Sequence, residues 1–437
     1  MEAGGCGVDA EVIRKAALKE EVPEDWLAQR VARGTVVILR GHRGSVEPVA
    51  VGEGVRVKVN VNVGTSVDLC DPKLELEKAR LSVRHGADTV MDLSTAEPLG
   101  AVRELLLKEL DVPIGTVPIY EAALRSVRRG GAVVDMTVDD VFNAVEGQAK
   151  EGVSFMTIHA GVTKRIVEGL RHHPRLTGIV SRGGAFLAAW MIHHGAENPL
   201  YANFDYLLEL AKEHGFAISL GDGLRPGCIA DSQDWAQMAE LLEVARLVKR
   251  AREAGVPAIV EGPGHVPLDQ VEASVKVAKS LTGNAPLYTL GPLVTDVAPG
   301  YDHIALAIGG AMAAAAGADF LCAVLRSEHL GLPLLEDVKD GVMAARIAAH
   351  AADIVRLGER ASRWDRAISE ARAKLDWEAQ LKLSLDPEEA RRIHERVPSR
   401  SKACSMCGSY CVFLILSRYL AEGSRAGSAA PSPSPST

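Results

Sequence analysis

Val55-Arg-Val-Lys-Val-Asn-Val-Asn-Val63 is the first of a series of short runs rich in β-branched residues, and a segment rich in Ala, Leu, Glu and Lys follows it. From about residue 54 this pairing recurs, and the apolar runs end in Gly, Ser, Asp, Glu or His. Such alternation is typical of βα units around a parallel sheet. The candidate strands are 55–63, 87–93, 114–120, 154–159, 178–181, 217–222, 258–261, 286–290 and 318–324.

The number of candidate strands favours an α/β fold of the (β/α)8 TIM-like barrel type over an open doubly wound sheet, which usually has fewer strands. Nine candidates for eight places mean that one of them is supernumerary or misassigned. The barrel, with the substrate and metal site, is predicted to span residues 54–334.

The segments on either side of the barrel are predicted to be helical. Residues 1–53 form a small N-terminal helical subdomain, in which Pro23 marks a helix start because Pro is tolerated in a first helical turn. Residues 335–422 form a C-terminal helical arm, with an extended helical hairpin over 361–383 and the cysteine loop beyond it. The Pro/Ser-rich stretch 423–437 is predicted to be a disordered tail.

Composition and charge restrict which binding partners and which cellular compartment we expect for this protein. The formal net charge of −8 at pH 7 argues against nucleic acid, and no apolar run reaches the roughly 18 residues that a membrane span needs. The acidic N-terminus fits neither a signal nor a transit peptide, so we expect a cytoplasmic protein. Four scattered cysteines suit reduced thiols, namely Cys6, Cys70, Cys228 and Cys322.

Three other cysteines are clustered in Cys404-Ser-Met-Cys407-Gly-Ser-Tyr-Cys411, with the spacing C-x2-C-x3-C. Thiolates select soft metals, so the loop indicates an iron–sulfur cluster, zinc or copper(I). Structural zinc normally takes four protein ligands, and no fourth Cys or His follows nearby. A [4Fe-4S] cluster on three cysteines would leave one iron open for a substrate or S-adenosylmethionine. Zinc, or a redox or structural role, is the alternative.

Polar side chains stand at the ends of most candidate strands. In a barrel these ends converge on one mouth, where the active site lies. Any single one of them could be an ordinary hydrogen-bonded residue, but the set is too polar to be filler. Its members are Asn62, Met91, Tyr120, His159, Ser181, Arg182, Asp222, Arg225, Glu261, His265, Tyr288 and His329.

Two pairs of segments are more specific. Ser181-Arg-Gly-Gly184 and Asp222-Gly-Leu-Arg-Pro-Gly227 each combine an arginine with backbone N–H groups that we expect to be exposed, which suits a phosphate or another oxyanion. The glycines could instead only let the loops turn. His265 and His329 could hold a mononuclear metal with open positions, or be ordinary hydrogen-bonded histidines.

Further motifs follow one another along the chain. They are Val57-Lys-Val-Asn-Val-Asn-Val-Gly-Thr-Ser66, Met91-Asp-Leu-Ser94, Met136-Thr-Val-Asp-Asp140, Phe155-Met-Thr-Ile-His-Ala-Gly161, Glu261-Gly-Pro-Gly-His-Val-Pro267, Ala298-Pro-Gly-Tyr-Asp-His303 and Glu328-His-Leu-Gly-Leu-Pro333. With the two glycine segments and the cysteine triplet, they resemble the ThiC family, also called phosphomethylpyrimidine synthases, over roughly residues 54–412.

The resemblance implies a radical S-adenosylmethionine carbon–carbon lyase of thiamine biosynthesis. Such an enzyme converts 5-aminoimidazole ribonucleotide into 4-amino-5-hydroxymethyl-2-methylpyrimidine phosphate and releases formate and carbon monoxide. A reduced [4Fe-4S] cluster on Cys404, Cys407 and Cys411 would cleave S-adenosylmethionine to a 5′-deoxyadenosyl radical. The cofactor supplies the difficult chemistry, and the protein positions it and excludes water and oxygen.

The resemblance also implies roles for individual residues. His265 and His329 would hold zinc or iron(II). We expect a homodimer in which the cysteine-bearing segment reaches the partner's barrel, and an electron donor such as flavodoxin or ferredoxin. The residues implied in substrate binding are Asn62, Met91, Tyr120, His159, Ser181, Arg182, Gly183, Asp222, Gly223, Leu224, Arg225, Glu261 and Tyr288.

Three departures from the family pattern stand out. The cysteine spacing is one residue shorter than the C-x2-C-x4-C of long members, as in the short-form branch. Ile38-Leu-Arg-Gly-His-Arg-Gly-Ser45 replaces an Ile-Pro-Ala-Asn-x-Asn-His-like run, and Ala323-Val-Leu-Arg-Ser327 replaces a run with Tyr-Val-Thr-Pro. We expect the latter two near the mouth, where they would bear on the product.

Two alternative functions stay open. One is the paralogous 5-hydroxybenzimidazole synthase, which uses the same ribonucleotide for the lower ligand of cobalamin in anaerobes. The other is a non-catalytic barrel that binds a phosphorylated ligand or a metal. The intact cysteine triplet and both histidines argue against the second.

Overall fold

A computed structural model describes residues 9–41 and 45–416. Eight parallel strands close into a barrel in which each strand pairs with the next along the chain and the last pairs with the first. The (β/α)8 prediction is therefore confirmed. The barrel strands are β3 (Lys58–Val63), β4 (Thr89–Asp92), β5 (Ile114–Thr116), β6 (Phe155–Ile158), β7 (Ala217–Leu220), β8 (Ala258–Gly262), β9 (Leu287–Leu290) and β10 (Phe320–Cys322).

Helices surround the barrel, and at least one helix follows each barrel strand in the chain. They are α3 (Pro72–Arg84), α4 (Ala101–Glu109), α5 (Pro118–Arg128), α6 (Val138–Glu151), α7 (Lys164–Gly169), α8 (Arg182–His194), α9 (Pro199–Ala202), α10 (Phe204–His214), α11 (Trp235–Glu253), α12 (Val271–Leu281), α13 (Asp302–Ala316) and α14 (Leu335–Leu357).

The supernumerary candidate strand is 178–181, which is not a strand. The Ser181 side chain accepts a hydrogen bond from the Gly184 N–H and caps α8, so the segment is the entry to a helix. Candidate strand 114–120 also ends early. Pro118 opens α5, because a proline fits the first helical turn but cannot donate to a strand ladder.

The N-terminal segment contains two predicted helices, α1 (Ala10–Glu20) and α2 (Glu24–Arg33), and the helix start after Pro23 is confirmed. The subdomain also contains strands that were not predicted. An antiparallel pair, β1 (Val36–Leu39) and β2 (Val49–Gly52), follows the helices. Its eight residues are all buried, and their Val-Val-Ile-Leu and Val-Ala-Val-Gly sequences are the signal that could have predicted the pair.

The chain divides into two compact units, Met1–Leu357 and Gly358–Thr437. Helix α14, predicted to begin the C-terminal arm, lies in the first unit. There Arg346 donates to the His85 carbonyl at 2.8 Å, and Asp353 accepts from the Val57 N–H at 2.9 Å. No helix among the described residues is long and apolar enough to cross a bilayer.

The second unit contains α15 (Glu359–Ala373), α16 (Trp377–Lys382) and α17 (Pro387–Glu395), followed by the cysteine loop. The predicted hairpin over 361–383 corresponds to α15 and α16. A small core of Leu375, Ala403 and Cys411 holds the loop, and the Trp377 indole donates to the Lys402 carbonyl at 2.9 Å. The predicted tail, 423–437, lies outside the described residues.

Candidate functional site

A pocket opens at the carboxyl ends of the barrel strands, which is where the active site of such a barrel lies. Eight residues of the predicted substrate set line it. They are Asn62, Met91, Tyr120, His159, Asp222, Arg225, Glu261 and Tyr288. The structure therefore brings together side chains that are up to 226 positions apart in the sequence, as the barrel prediction required.

A hydrogen-bonded cluster forms one side of this pocket. The Asn60 amide donates to the Tyr288 hydroxyl at 2.7 Å and to the Asn62 side-chain oxygen at 2.9 Å. The Asn62 amide lies 3.2 Å from the Cys322 sulfur. Burial raises the pKa of the Cys322 thiol to about 12 and raises that of Tyr288 well above its ordinary value, so both stay protonated at neutral pH.

Charged groups form another side. Glu261 Oε1 accepts hydrogen bonds from the hydroxyls of Thr157 and Ser219, each at 2.7 Å. Arg225 lies 3.2 Å from Asp222 Oδ1. Burial raises the pKa of the Asp222 carboxyl to about 8, and repulsion from Glu261 adds to the rise while Arg225 opposes it. Burial likewise raises the pKa of Glu261. The pocket thus holds carboxyl groups that bind protons readily.

His159 is buried, and its Nε2 lies 3.2 Å from the Ser181 hydroxyl. Burial lowers the pKa of His159 to about 3, and the nearby Arg225 charge contributes, so the imidazole is neutral at physiological pH. Its Nδ1 has no hydrogen-bond partner among the described residues. A neutral ring with one unpartnered nitrogen is suited to binding a ligand.

The start of α8 fits against His159 and the loop after β7 because Gly183 and Gly184 have no side chain. A Cβ on Gly183 would overlap the His159 ring, and one on Gly184 would overlap the Gly223 carbonyl oxygen. Neither glycine has a positive φ. The glycines thus allow close packing rather than an unusual turn, which sequence alone had left open.

Gly184→Ala is expected to lower the thermal unfolding temperature and weaken ligand binding, because the clash is with backbone that cannot rotate away. The cost is about 1–3 kcal/mol of folding free energy. Gly147→Ala is the matched control, since Gly147 lies inside helix α6 with open space around it. It should be neutral or stabilising by up to about 1 kcal/mol. Equal unfolding temperatures for the two variants would contradict the packing argument.

The backbone N–H groups of the two glycine segments, 181–184 and 222–227, were predicted to be exposed, but several of them are already hydrogen-bonded. The Gly184 N–H is bonded to Ser181, the Leu224 N–H to Glu240 Oε2 at 2.7 Å, and the Arg225 N–H to the Asp222 carbonyl. The expectation of exposed donors was therefore wrong for these three groups. Arg182 is exposed, and its guanidinium lies 5.0 Å from the centre of the Tyr120 ring in the first turn of α5.

His265 and His329 come together, with ring centres 5.2 Å apart. Nδ1 of His265 lies 2.8 Å from Asp296 Oδ1, and Nδ1 of His329 lies 2.9 Å from Asp302 Oδ1. Each carboxylate orients an imidazole with its Nε2 lone pair free, as second partners of metal-binding histidines do. The donor set therefore fits a metal such as zinc or iron(II). Only two histidines contribute, and no described residues gather three His, Cys, Asp or Glu side chains for a metal.

Cys404, Cys407 and Cys411 lie in one short loop, and all three are free thiols. A 3-10 turn, Gly408–Tyr410, separates the last two, and the Gly408 N–H donates to the Cys404 carbonyl at 3.0 Å. The soft thiol donors fit an iron–sulfur cluster.

Sequence reasoning missed several residues at the two sites. Asn60 and Thr157 precede Asn62 and His159 by two positions and face the same side of their strands, so the two-residue period was the available signal. Cys322 and Ser219 had no comparable signal. Asp302 belongs to the motif 298–303, but nothing in the spacing along the chain predicts that it pairs with His329.

Comparison with known proteins decides the family. The family model described as "Radical SAM ThiC family" matches residues 1–418 of this chain. The chain belongs to this family. It is 55% identical over 415 residues to a phosphomethylpyrimidine synthase from Methanopyrus kandleri, covering 94% of this chain and 97% of that one. It is 52% identical over 426 residues to a phosphomethylpyrimidine synthase from Pyrococcus furiosus, covering 97% and 99%.

Among solved structures, this ThiC-family chain is similar to dihydropteroate synthase from Thermus thermophilus. The TM-score is 0.42 at 16% identity, and the match covers 73% of this chain and 99% of that one.

The described parts of the two replaced segments of this ThiC-family chain lie at opposite ends of the barrel. Ala323–Ser327 directly follows β10 and is on the mouth side, as expected. Ile38 and Arg40, by contrast, line a second cavity with Ala217 and Pro257, at the beginnings of β7 and β8. The expectation that the first replacement lies near the mouth was therefore wrong for Ile38 and Arg40. His42, Arg43 and Gly44 of the same run lie outside the described residues.

Proposed function

We propose that the chain converts 5-aminoimidazole ribonucleotide into 4-amino-5-hydroxymethyl-2-methylpyrimidine phosphate, the pyrimidine precursor of thiamine. The observation that carries the proposal is the mouth pocket, in a chain 55% identical to a phosphomethylpyrimidine synthase. Its amide, phenol, guanidinium and carboxyl groups match a ligand that combines a phosphate, ribose hydroxyls and an aminoimidazole.

The charged side of the pocket supports distinct roles for its residues. Arg225 and the exposed Arg182 carry the positive charge that a phosphate requires. Both hydroxyl donors to Glu261 go to Oε1, which leaves Oε2 to accept from a ligand N–H or O–H group. A protonated Asp222 would donate to the ligand and would not repel its phosphate.

The remaining residues of the proposed set orient the ligand without charge. Asn62 and Tyr288 would bind the ligand through groups already fixed by Asn60, and His159 through its unpartnered Nδ1. Met91 and Tyr120 would shape the walls, and Ser181, Gly183, Gly223 and Leu224, which are not among the lining residues, would support the walls from behind. A pocket organised before the ligand arrives loses less entropy on binding, which favours precise placement of a reactive ribose.

Cys404, Cys407 and Cys411 would hold a [4Fe-4S] cluster with S-adenosylmethionine. When bound, this group supplies the electron that cleaves S-adenosylmethionine to a 5′-deoxyadenosyl radical. The chain's own task is then to exclude water and hold the ribonucleotide. We further propose zinc or iron(II) on His265 and His329, a homodimer, a flavodoxin or ferredoxin as reductant, a cytoplasmic location and assignment to the carbon–carbon lyases.

The second candidate is 5-hydroxybenzimidazole synthesis from the same ribonucleotide. The observation that favours it is the replaced segment Ala323–Ser327 on the mouth side of β10. A changed wall would alter how a radical intermediate collapses, while leaving the ribonucleotide-binding groups in place.

Product analysis tests the proposal. Anaerobically reconstituted protein is incubated with dithionite, S-adenosylmethionine and 5-aminoimidazole ribonucleotide, and the small molecules are resolved by mass spectrometry. The expected products are hydroxymethylpyrimidine phosphate and 5′-deoxyadenosine. Hydroxybenzimidazole instead would establish the second candidate. Binding of the ribonucleotide without cleavage of S-adenosylmethionine would leave only a non-catalytic barrel.

A further inference from the structure

The guanidinium of Arg175 lies behind the mouth pocket, and its side chain is only 1% exposed. It donates to the Leu224 carbonyl at 2.5 Å and to the Arg225 carbonyl at 3.3 Å. Two further bonds, at 2.6 and 2.7 Å, go to the two carboxylate oxygens of Asp234, the N-cap residue of α11. A buried cation therefore joins the loop after β7 to the start of the next helix.

Glu240 contacts the preceding peptide group, between Gly223 and Leu224. It lies on α11, is 3% exposed, and accepts a hydrogen bond from the Leu224 N–H at 2.7 Å. Burial raises the pKa of Glu240 to about 8, and the Asp222 carboxylate adds to the rise. Glu240 also packs closely on Gly161 and Gly223, where any added Cβ would be crowded against it.

Leu224 is thus fixed through its N–H by Glu240 and through its carbonyl by Arg175. Its side chain is fully buried in the main core. The next residue is Arg225, whose guanidinium faces the pocket beside Asp222. A residue held at its N–H, its carbonyl and its side chain has little freedom to move, so the direction of Arg225 is set before any ligand binds.

The same arginine also reaches the segment that leads to α8. Arg175 donates to the Gly178 carbonyl at 3.3 Å. The Asp231 carboxylate accepts from the backbone N–H groups of Leu176 and Thr177, at 2.8 and 2.9 Å. The entry to Ser181 is therefore tied to the loop that carries Arg225, although the two belong to different βα units.

We propose that Arg175 and Glu240 are positioning residues for ligand binding. Together they hold the two peptide groups on either side of Leu224, so that Asp222 and Arg225 face the pocket, and Arg175 couples this loop to the segment before Ser181. Neither residue is among those that line the mouth pocket, and Glu240 lines a neighbouring cavity beside Asp222 and Arg225. The identity of the ligand rests on the proposed function, whereas the positioning of the loop does not.

Hydrogen exchange in the full chain, followed by mass spectrometry, tests the positioning directly. Arg175→Gln and Glu240→Ala are expected to increase exchange in the peptide that covers 222–227 by about tenfold, because each removes a buried hydrogen bond to the Leu224 backbone. Glu243→Ala is the matched control. Glu243 is a second buried carboxylate on α11, but it pairs with Arg165 and Arg246 on the helix exterior. It should leave that peptide unchanged.

Conservative variants and kinetics separate positioning from general destabilisation. Glu240→Gln keeps an acceptor for the Leu224 N–H and should restore near-normal exchange. Arg175→Lys keeps the charge but cannot reach the carbonyls and Asp234 together, so it should resemble Arg175→Gln. With active protein, Arg175→Gln should raise KM for the ribonucleotide about tenfold, with a much smaller change in kcat.

The outcomes are distinct. Unchanged exchange over 222–227 in Arg175→Gln and Arg175→Lys, or an equal increase in Glu243→Ala, would overturn the proposal. If Glu240→Ala does not fold, the Arg175 variants decide. If the unmodified protein makes neither product, the proposed function fails, and the exchange experiment still decides whether these residues position the loop.

Discussion

Cys407→Ala is expected to reduce 5′-deoxyadenosine formation to the background of protein without a cluster. A [4Fe-4S] cluster held by three thiolates cannot retain its site when one of them is removed. Cys407 is the best position for the test because it is exposed, whereas Cys411 is buried in the small core of the second unit. The measurements are iron content, the visible absorption of the cluster, and 5′-deoxyadenosine quantified by mass spectrometry.

Cys70→Ala is the matched control for this variant. Cys70 is also an exposed free thiol, but it lies between β3 and α3 and outside the triplet. It should keep full iron content and activity. Both variants should retain the unfolding temperature of the unmodified chain, since neither side chain is part of a core. Continued radical formation by Cys407→Ala would refute the assignment of the cluster to this loop.

Arg225→Gln is expected to weaken binding of the ribonucleotide about thirtyfold, which corresponds to about 2 kcal/mol for a lost charge-assisted hydrogen bond. Arg225 opposes the upward pKa shifts of Asp222 and Glu261, so its removal also makes both carboxyls harder to ionise. Titration calorimetry in the absence of S-adenosylmethionine measures the dissociation constant without catalysis.

Arg246→Gln is the control for the charge that is removed. Arg246 lies on α11, is 71% exposed, and pairs with Glu243 away from the pocket. Because exposed ion pairs contribute little, this variant should bind the ribonucleotide with the normal dissociation constant. Equal affinities for Arg225→Gln and the unmodified chain would show that Arg225 is not a phosphate-binding group.

Much of the fold could be predicted because its signals are local. Each barrel strand is a short apolar run beside a helix with its own period, and eight of the nine candidate runs are strands. The ninth failed because 178–181 resembles a strand in composition, but Ser181 starts a helix. The antiparallel pair β1–β2 was missed because it lies outside the repeating βα pattern.

The membership of the mouth pocket was also predictable, since a barrel brings all its strand ends to one opening. The states of the groups there were not. The raised pKa of Asp222 and the lowered pKa of His159 come mainly from burial, and burial depends on what the rest of the chain packs around them. The backbone N–H groups expected to be exposed are likewise occupied by neighbours that only folding supplies.

The sequence by itself determined the βα repeat, the polar strand ends and the cysteine triplet, because these depend on residue type and on spacing within a short segment. Only the tertiary structure decided the pairings across the barrel, such as Arg175 with the Leu224 carbonyl 49 positions away and His329 with Asp302. A hydrogen bond requires the donor and acceptor atoms to lie within a few tenths of an ångström of their preferred separation. For residues in different βα units, closure of the barrel sets that separation.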